Sequence, residues 1–323
     1  MKKRHSFIVS LLKTKSGSYF SVGAYVSRKQ TSMNTLGEIR MSNHNLSYYL
    51  KWKRGSLLLV VGVLASLLLP LAERGVCDDA PGYTDTPLLP NSPWRVHDRQ
   101  RPQPPMVEPG ANAGRQPLAP PSDALVLFDG KNLSQWEGGD PKGIEDGCIN
   151  ILKTGQIQTK RHFGDCQLHV EWVTPKKPEN NMMWGNSGVF MLGKHELQII
   201  ESHDSKIYAD GIAAAIYGQT PPLVNAARKP GEWQSFDIVF TAPQFKGDKL
   251  LKPAYFTVLW NGVLVQNHTA SLGPTQHREL AKYDTRETTG PILLQQHGSA
   301  VRFRNIWVRD LKLQQPPSVK EKK

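Results

Sequence analysis

The sequence predicts an all-β protein, a two-sheet sandwich or jelly roll, and three observations carry that prediction. Between residues 124 and 309 lie short runs rich in Val, Ile, Phe and Trp, separated by Gly, Pro, Asn and Asp. Along 166–173, Cys166, Leu168, Val170 and Trp172 alternate with Gln167, His169 and Glu171, the period of a half-buried strand. Helical periodicity is scarce, with only Arg278 to Lys282 suggesting a turn or two. Many strands with almost no helix bury their apolar faces best by stacking two sheets.

In chain order the predicted strands are 124–128, 148–152, 166–173, 187–192, 196–201, 234–241, 254–260, 263–266, 292–296 and 300–309. Asp129-Gly130 closes the first strand. Cys148 and Cys166 begin the second and third. A disulfide between them and two small apolar side chains in the core both remain open. With no C-x-x-C pair, the cysteines do not suggest a structural zinc site. Asn261-Gly262, between Leu259-Trp260 and Val263-Leu264, is a type I′ hairpin signal. Lys246 to Lys252 and the 274–289 loop read as insertions that shape a pocket rim.

The sandwich spans 123–313, about 190 residues, enough for one core. Residues 77–122 form a Pro-rich arm holding 11 of the 24 prolines, extended by composition. Trp94, Val96 and Met106 give that arm something to bury against the domain. Residues 314–323, with Pro316-Pro317 and terminal lysines, read as a disordered tail. Residues 1–76 read as a targeting region. Its 51–72 segment is signal-peptide-like: Lys51, Lys53 and Arg54 precede an apolar run from Ser56 to Ala72. Such a signal belongs near a start, so Met41 is the expected initiator. The alternative is an uncleaved anchor. Export to the periplasm or cell envelope is expected, with membrane contact only through this segment if it is uncleaved. Of the net charge of +12, residues 1–54 carry +10, which leaves +2 for everything after them. That gives no reason to expect a nucleic-acid-binding face.

The chemistry-bearing residues gather in a few β-patterned runs. Gly185-Asn186-Ser187-Gly188 leads into Glu196-Leu197-Gln198 and Glu201, and Gln295-Gln296-His297-Gly298 follows near the end. Glu196 and Gln198 stand two apart and so face the same way on a regular strand, whereas Glu201 needs a bulge to join them. A glycosidase using two carboxylates needs them about 5 to 9 Å apart, and Glu196 with Glu201 or with Glu171 are the candidate pairs. His297 is a candidate base, electrophile or metal ligand. Asn186, Gln198 and Gln295 suit sugar hydroxyls. Tyr217, Trp233, Tyr208 and Trp184 suit stacking on a pyranose ring. No G-x-S-x-G, Walker loop, H-E-x-x-H or dinucleotide fingerprint is present.

An ordered series of motifs then resembles one family. It comprises Leu127-Phe128-Asp129-Gly130-Lys131-Asn132-Leu133 with Trp136, Gly185-Asn186-Ser187-Gly188-Val189, Glu196-Leu197-Gln198 and Tyr208-Ala209-Asp210-Gly211. It continues with Ala215-Ile216-Tyr217-Gly218-Gln219, Pro230-Gly231-Glu232-Trp233-Gln234, Asn261-Gly262 and Gln295-Gln296-His297-Gly298. The series, over about residues 123–312, resembles the 3-keto-disaccharide hydrolase family, also described as 3-keto-glucoside 1,2-lyase/2-hydroxy-glucal hydratase. The resemblance implies a concanavalin A-like jelly-roll β-sandwich, export, and cleavage of 3-keto-glycosides by C2 deprotonation, β-elimination and hydration. Residue chemistry together with motif position assigns proton transfer to Glu196 or Glu201, with Glu171 as a second-carboxylate candidate. His297 and Asn186 would stabilise an enediolate, and Gln198 and Gln295 would contact ring hydroxyls. No cofactor is implied with certainty, and a divalent metal stays open. The chain departs from the family's usual pattern at His195, where Tyr is usual, at Glu201, where Asp is usual, and near His203, where Tyr is common. A lectin-like carbohydrate-binding module, a surface-attachment domain and a conventional glycosidase on unoxidised sugars are the competing readings.

Overall fold

A computed structural model describes residues 7–11, 20–24, 37–43, 46–52, 81–110, 119–177, 184–204 and 206–311. The chain divides into two units, 1–77 and 78–323. In the first, β1 (Phe7–Leu11), β2 (Phe20–Ala24), β3 (Gly37–Asn43) and β4 (Leu46–Trp52) pair in that order as an antiparallel sheet. The apolar run of the signal-like segment, Cys77 and the tail after residue 313 lie outside the described residues. No helix among the described residues is long and apolar enough to cross a membrane.

The second unit carries β5 (Leu125–Phe128), β6 (Trp136–Glu137), β7 (Ile144–Glu145), β8 (Cys148–Asn150), the single-turn helix α1 (Ile151–Thr154) and β9 (Ile157–Thr159). Then come β10 (Cys166–Val173), β11 (Ser187–Met191), β12 (His195–Ile199), β13 (Gln234–Thr241), β14 (Gln244–Lys246) and β15 (Lys249–Lys252). The series ends with β16 (Tyr255–Trp260), β17 (Val263–Ala270), β18 (Leu293–Leu294) and β19 (Arg302–Asp310). The large sheet runs β17-β16-β13-β10-β19-β8-β7, with β5 also on β19, and the small sheet runs β12-β11-β18-β9-β6. Every strand pair is antiparallel, and the two sheets pack as the sandwich the sequence predicts.

The core lies between the sheets. Leu168, Val170, Trp172, Phe236, Phe240, Phe256, Trp260 and Phe303 fill it from the large sheet, and Val189, Leu197, Ile199 and Leu294 from the small one. The alternation predicted along 166–173 is therefore the core face of β10. Full burial stabilises each such side chain by roughly 1.5–3 kcal/mol. Asn261 (φ 53°) and Gly262 (φ 81°) take the left-handed conformations of a type I′ turn between β16 and β17.

Several expectations need correction. Arg278 to Lys282 is not helical, because Arg278 sits at φ 62° and interrupts any right-handed turn. The strand predicted over 148–152 stops at Asn150, and Ile151–Thr154 turns helical against Gly155 (φ 81°). The 246–252 insertion is part of the hairpin β14–β15, turned at Gly247 (φ 57°). Cys148 and Cys166 are free and buried, so the apolar alternative holds over the disulfide. In the arm, Val96 and Leu89 are the buried anchors, Trp94 is half-buried, and Met106 is 52% exposed. The Met106 region is held by its backbone instead: Val107 N–H donates to Asn225 O and Asn225 N–H to Pro105 O, both at 2.9 Å.

Candidate functional site

Register decides which side chains of the small sheet leave the core. Val189 pairs with Leu197 and Leu294, and all three are fully buried in the core. Their neighbours Gly188, Phe190, Glu196, Gln198 and Leu293 therefore face the other way. Gln295 extends this face: its N–H donates to Gly188 O at 3.0 Å, and Ser187 Oγ donates to its carbonyl at 2.6 Å. Beyond β12 the chain adds a further rung. Ala214 N–H bonds Gln198 O (2.9 Å), Gln198 N–H bonds Ala215 O (3.0 Å), and Tyr217 N–H bonds Glu196 O (3.2 Å). That rung sets Tyr217 beside Glu196 on the outer face.

Glu196 is the most perturbed acid of this face. It is 5% exposed, and its carboxyl folds back over Gly188, where an added Cβ would lie 2.5 Å from Oε1. A glycine is thus required opposite Gln198 to leave the carboxyl its room. Burial pushes the Glu196 carboxyl up to about 8. A carboxyl in that range is mostly protonated at neutral pH and exchanges a proton readily there.

Rings surround it. The hydroxyls of Tyr208 and Tyr217 are 2.8 Å apart, and Tyr217 Oη is 3.0 Å from His277 Nδ1. Burial, and after it the neighbouring hydroxyl and acids including Glu196, raise the Tyr217 phenol, so it stays neutral. Burial lowers His277, and so do the charges of His97, Arg278 and His297. The chain Tyr208–Tyr217–His277 runs from beside the buried carboxyl to an exposed imidazole. Sequence reasoning assigned no chemical role to Asp210, His277 or His97. Asp210 stands in a quoted motif, whereas nothing local marks His277 or His97.

The predicted residues separate into three places. Glu196, Gln198, Gln295 and Tyr217 share the outer face of the small sheet, and at its end Asn186 Nδ2 lies 3.5 Å from His297 Nδ1. Gln198 Oε1 accepts the Ile199 N–H at 3.0 Å. Gln295 Oε1 is buried with no hydrogen-bond partner among the described residues, a situation that costs roughly 1–3 kcal/mol. Glu201 is fully buried, and its carboxylate accepts the backbone N–H groups of His203 (2.8 Å) and Asp204 (3.0 Å). It shapes a turn. Glu171 and Trp233 do not reach this face at all. Glu171 sits on the outer side of the large sheet, in ion pair with Arg304 (2.6 Å), whose guanidinium also covers the Trp233 ring at 4.0 Å. Trp233 lines a separate cleft of about 240 Å³ with Thr174, Lys176, Gly231 and Arg302.

The departures from the family pattern sit away from the floor. His195 shares the parity of Leu197, is 2% exposed, and bonds Ser271 Oγ at 3.0 Å. Burial, helped by Lys194, lowers it to about 4, so it is a neutral imidazole. His203 belongs to the turn held by Glu201 and pairs with Asp204. Among the described residues, no three His, Cys, Asp or Glu side chains gather as a metal ion requires.

Residues 123–309 match the family described as the 3-keto-alpha-glucoside-1,2-lyase-like domain. Among solved structures, a "putative glycosyl hydrolase" from Parabacteroides distasonis is 41% identical, with a TM-score of 0.57, over 65% of this chain and 93% of its own. A second of that description from the same organism is 26% identical, with a TM-score of 0.42, over 58% of this chain and 99% of its own. No functionally curated protein matches the chain.

Proposed function

We infer the function from one premise: the chain belongs to the 3-keto-alpha-glucoside-1,2-lyase-like domain family. In this reading it is a carbohydrate-active enzyme that cleaves the glycosidic bond of 3-keto-glycosides. A ketone at C3 acidifies the hydrogen on C2. A base removes that proton, and the electron pair is held as an enediolate across C2 and C3. The enediolate collapses: the ketone reforms, a C1–C2 double bond forms, and the C1–O bond breaks as the departing alkoxide is protonated. Water then adds across C1–C2, its hydroxyl to C1 and a proton to C2.

The observation that carries this reading is Glu196, a desolvated carboxyl at about 8, over a bare glycine and beside Tyr217. Such a group suits repeated proton transfer near neutral pH. Glu196 takes and returns the C2 proton. The Tyr208–Tyr217–His277 chain connects the site with solvent. Gln295, Asn186 and His297 lie where they can hold the enediolate oxygens, and Gln198 contacts ring hydroxyls. A hydrolase of unoxidised sugars needs two aimed carboxylates. Glu201, bound to backbone N–H groups, and Glu171, on the other sheet, give that reading no support. Export completes the proposal, motivated by the basic residues Lys51, Lys53 and Arg54 before the apolar run 56–72.

The test is incubation of the purified protein with a 3-keto-glucoside and its unoxidised counterpart in deuterated water. Cleavage of the keto sugar alone, with deuterium at C2 of the product, is expected. Binding of either sugar without turnover would replace the enzyme reading with the lectin-like one.

A further inference from the structure

The Pro-rich arm lies outside residues 123–309, the extent of the family match, yet it reaches the site. Residues 83–99 fold back on themselves: Val96 N–H bonds Pro87 O, Leu89 N–H bonds Trp94 O, and Thr86 Oγ1 bonds Val96 O at 2.6 Å. The fold-back delivers His97, which is fully buried and held at φ 55°. A left-handed non-glycine residue persists where its surroundings over-determine it. Here one buried carboxylate does so. Asp210 Oδ2 accepts the His97 backbone N–H at 2.9 Å, and Asp210 Oδ1 lies 3.2 Å from Nδ1. Arg101, also from the arm, stands 3.8 Å from Oδ2 and donates to Gln219 O at 3.0 Å.

The imidazole so held touches the site's rings. Its centroid is 4.1 Å from Tyr208, 4.8 Å from Tyr217 and 5.2 Å from His277. Gly218 leaves it space, since a Cβ there would lie 3.2 Å from His97 Cε1. His97 Nε2 is buried with no hydrogen-bond partner among the described residues. A purely packing role would be filled more cheaply by an apolar ring, which brings no nitrogen to leave unpaired.

We propose that the arm is a working part of the site and that His97, clamped by Asp210, is a positioning residue acting through Tyr208 and Tyr217. The pair sets the two tyrosine rings, and so the hydroxyl chain to His277, against Glu196. The working unit therefore extends beyond the family domain into residues 81–110. The catalytic consequence rests on the reading above; the placement does not. The titratable and charged groups facing His97 are Asp210, Arg101, Tyr83, Tyr208, Tyr217 and His277.

The test compares the full chain with three variants. His97→Phe keeps a ring and removes both nitrogens. His97→Asn tolerates the left-handed backbone and keeps a donor toward Asp210. Asp210→Asn leaves His97 without its charged partner. For each, kcat and KM on a 3-keto-glucoside are measured across pH, and the His277 ring proton is titrated by NMR. We expect kcat to fall at least tenfold, KM to change less than threefold, and the pH profile to shift. The His277 titration should move in His97→Phe and His97→Asn, because the two rings stand 5.2 Å apart. Wild-type kcat, pH profile and His277 titration in the variants that fold would overturn the proposal. If the wild type does not turn over keto sugars, the functional reading fails and the titration alone decides: a shift keeps His97 coupled to the chain, and its absence overturns the placement.

Discussion

The outer faces of the two sheets both bury ionisable groups, and they treat them oppositely. On the large sheet His169 sits between Asp237 (2.7 Å) and Glu171 (3.6 Å), and Glu171 is bonded by Arg304 (2.6 Å) and Asn305 (2.8 Å). Burial would lower His169, but the bonds to Asp237 and Glu171 more than offset it and raise it to about 9. Only the Trp307 indole N–H, on the ring stacked over His169, is left without a partner in this group among the described residues. At the small sheet burial alone shifts Glu196, and Gln295 Oε1 and, from the arm, His97 Nε2 have no hydrogen-bond partner among the described residues. Buried charge that is fully paired rigidifies a scaffold. Buried polarity left incomplete is destabilising and points to what it is kept for.

Four substitutions probe that contrast. Glu196→Gln should have the largest effect, lowering turnover on the order of 10² to 10⁴-fold, as loss of a general acid–base does. Its stability should move the other way. Native Glu196 keeps its proton to about 8, whereas the unfolded chain releases it near 4.5. Wild-type stability therefore falls as pH rises from about 4.5 to 8 and levels off above, and the Gln variant should lose that slope in urea titrations. Glu171→Ala breaks the paired cluster and should destabilise by about 3 kcal/mol, with the folded fraction retaining its kcat. An activity loss without unfolding would put the large sheet back into the site. Gly188→Ala pushes on the Glu196 carboxyl and should lower kcat about 10- to 100-fold with little change in thermal midpoint. Smallest is Arg278→Ala, which removes an exposed pair to Asp85 and a stack on Tyr83; we expect about 1 kcal/mol or less in urea unfolding.

What was legible in the sequence was local. Alternation along β10, the Asn261-Gly262 turn and the shared parity of Glu196 and Gln198 follow from side-chain period and turn chemistry. Two-residue strands such as Trp136–Glu137 are too short to show a period. Parity says that Glu171 leaves its strand opposite Trp172, but it cannot say which sheet the strand joins. Glu201 lies beyond the end of β12, where a carboxylate two and three residues before free N–H groups caps a turn. His97 was invisible because its partner Asp210 is 113 residues away and its own neighbourhood reads as linker.

That separation also orders events during synthesis. The arm leaves the ribosome first, and its clamp, Asp210, follows 113 residues later. Until then, the backbone rungs at Asn225 and the rings of Tyr208 and Tyr217 do not exist for it to join. Its proline content keeps the waiting segment extended and unable to pair as a premature strand. The arm therefore docks only once residues 208–225 have followed it out, although it precedes them in the chain.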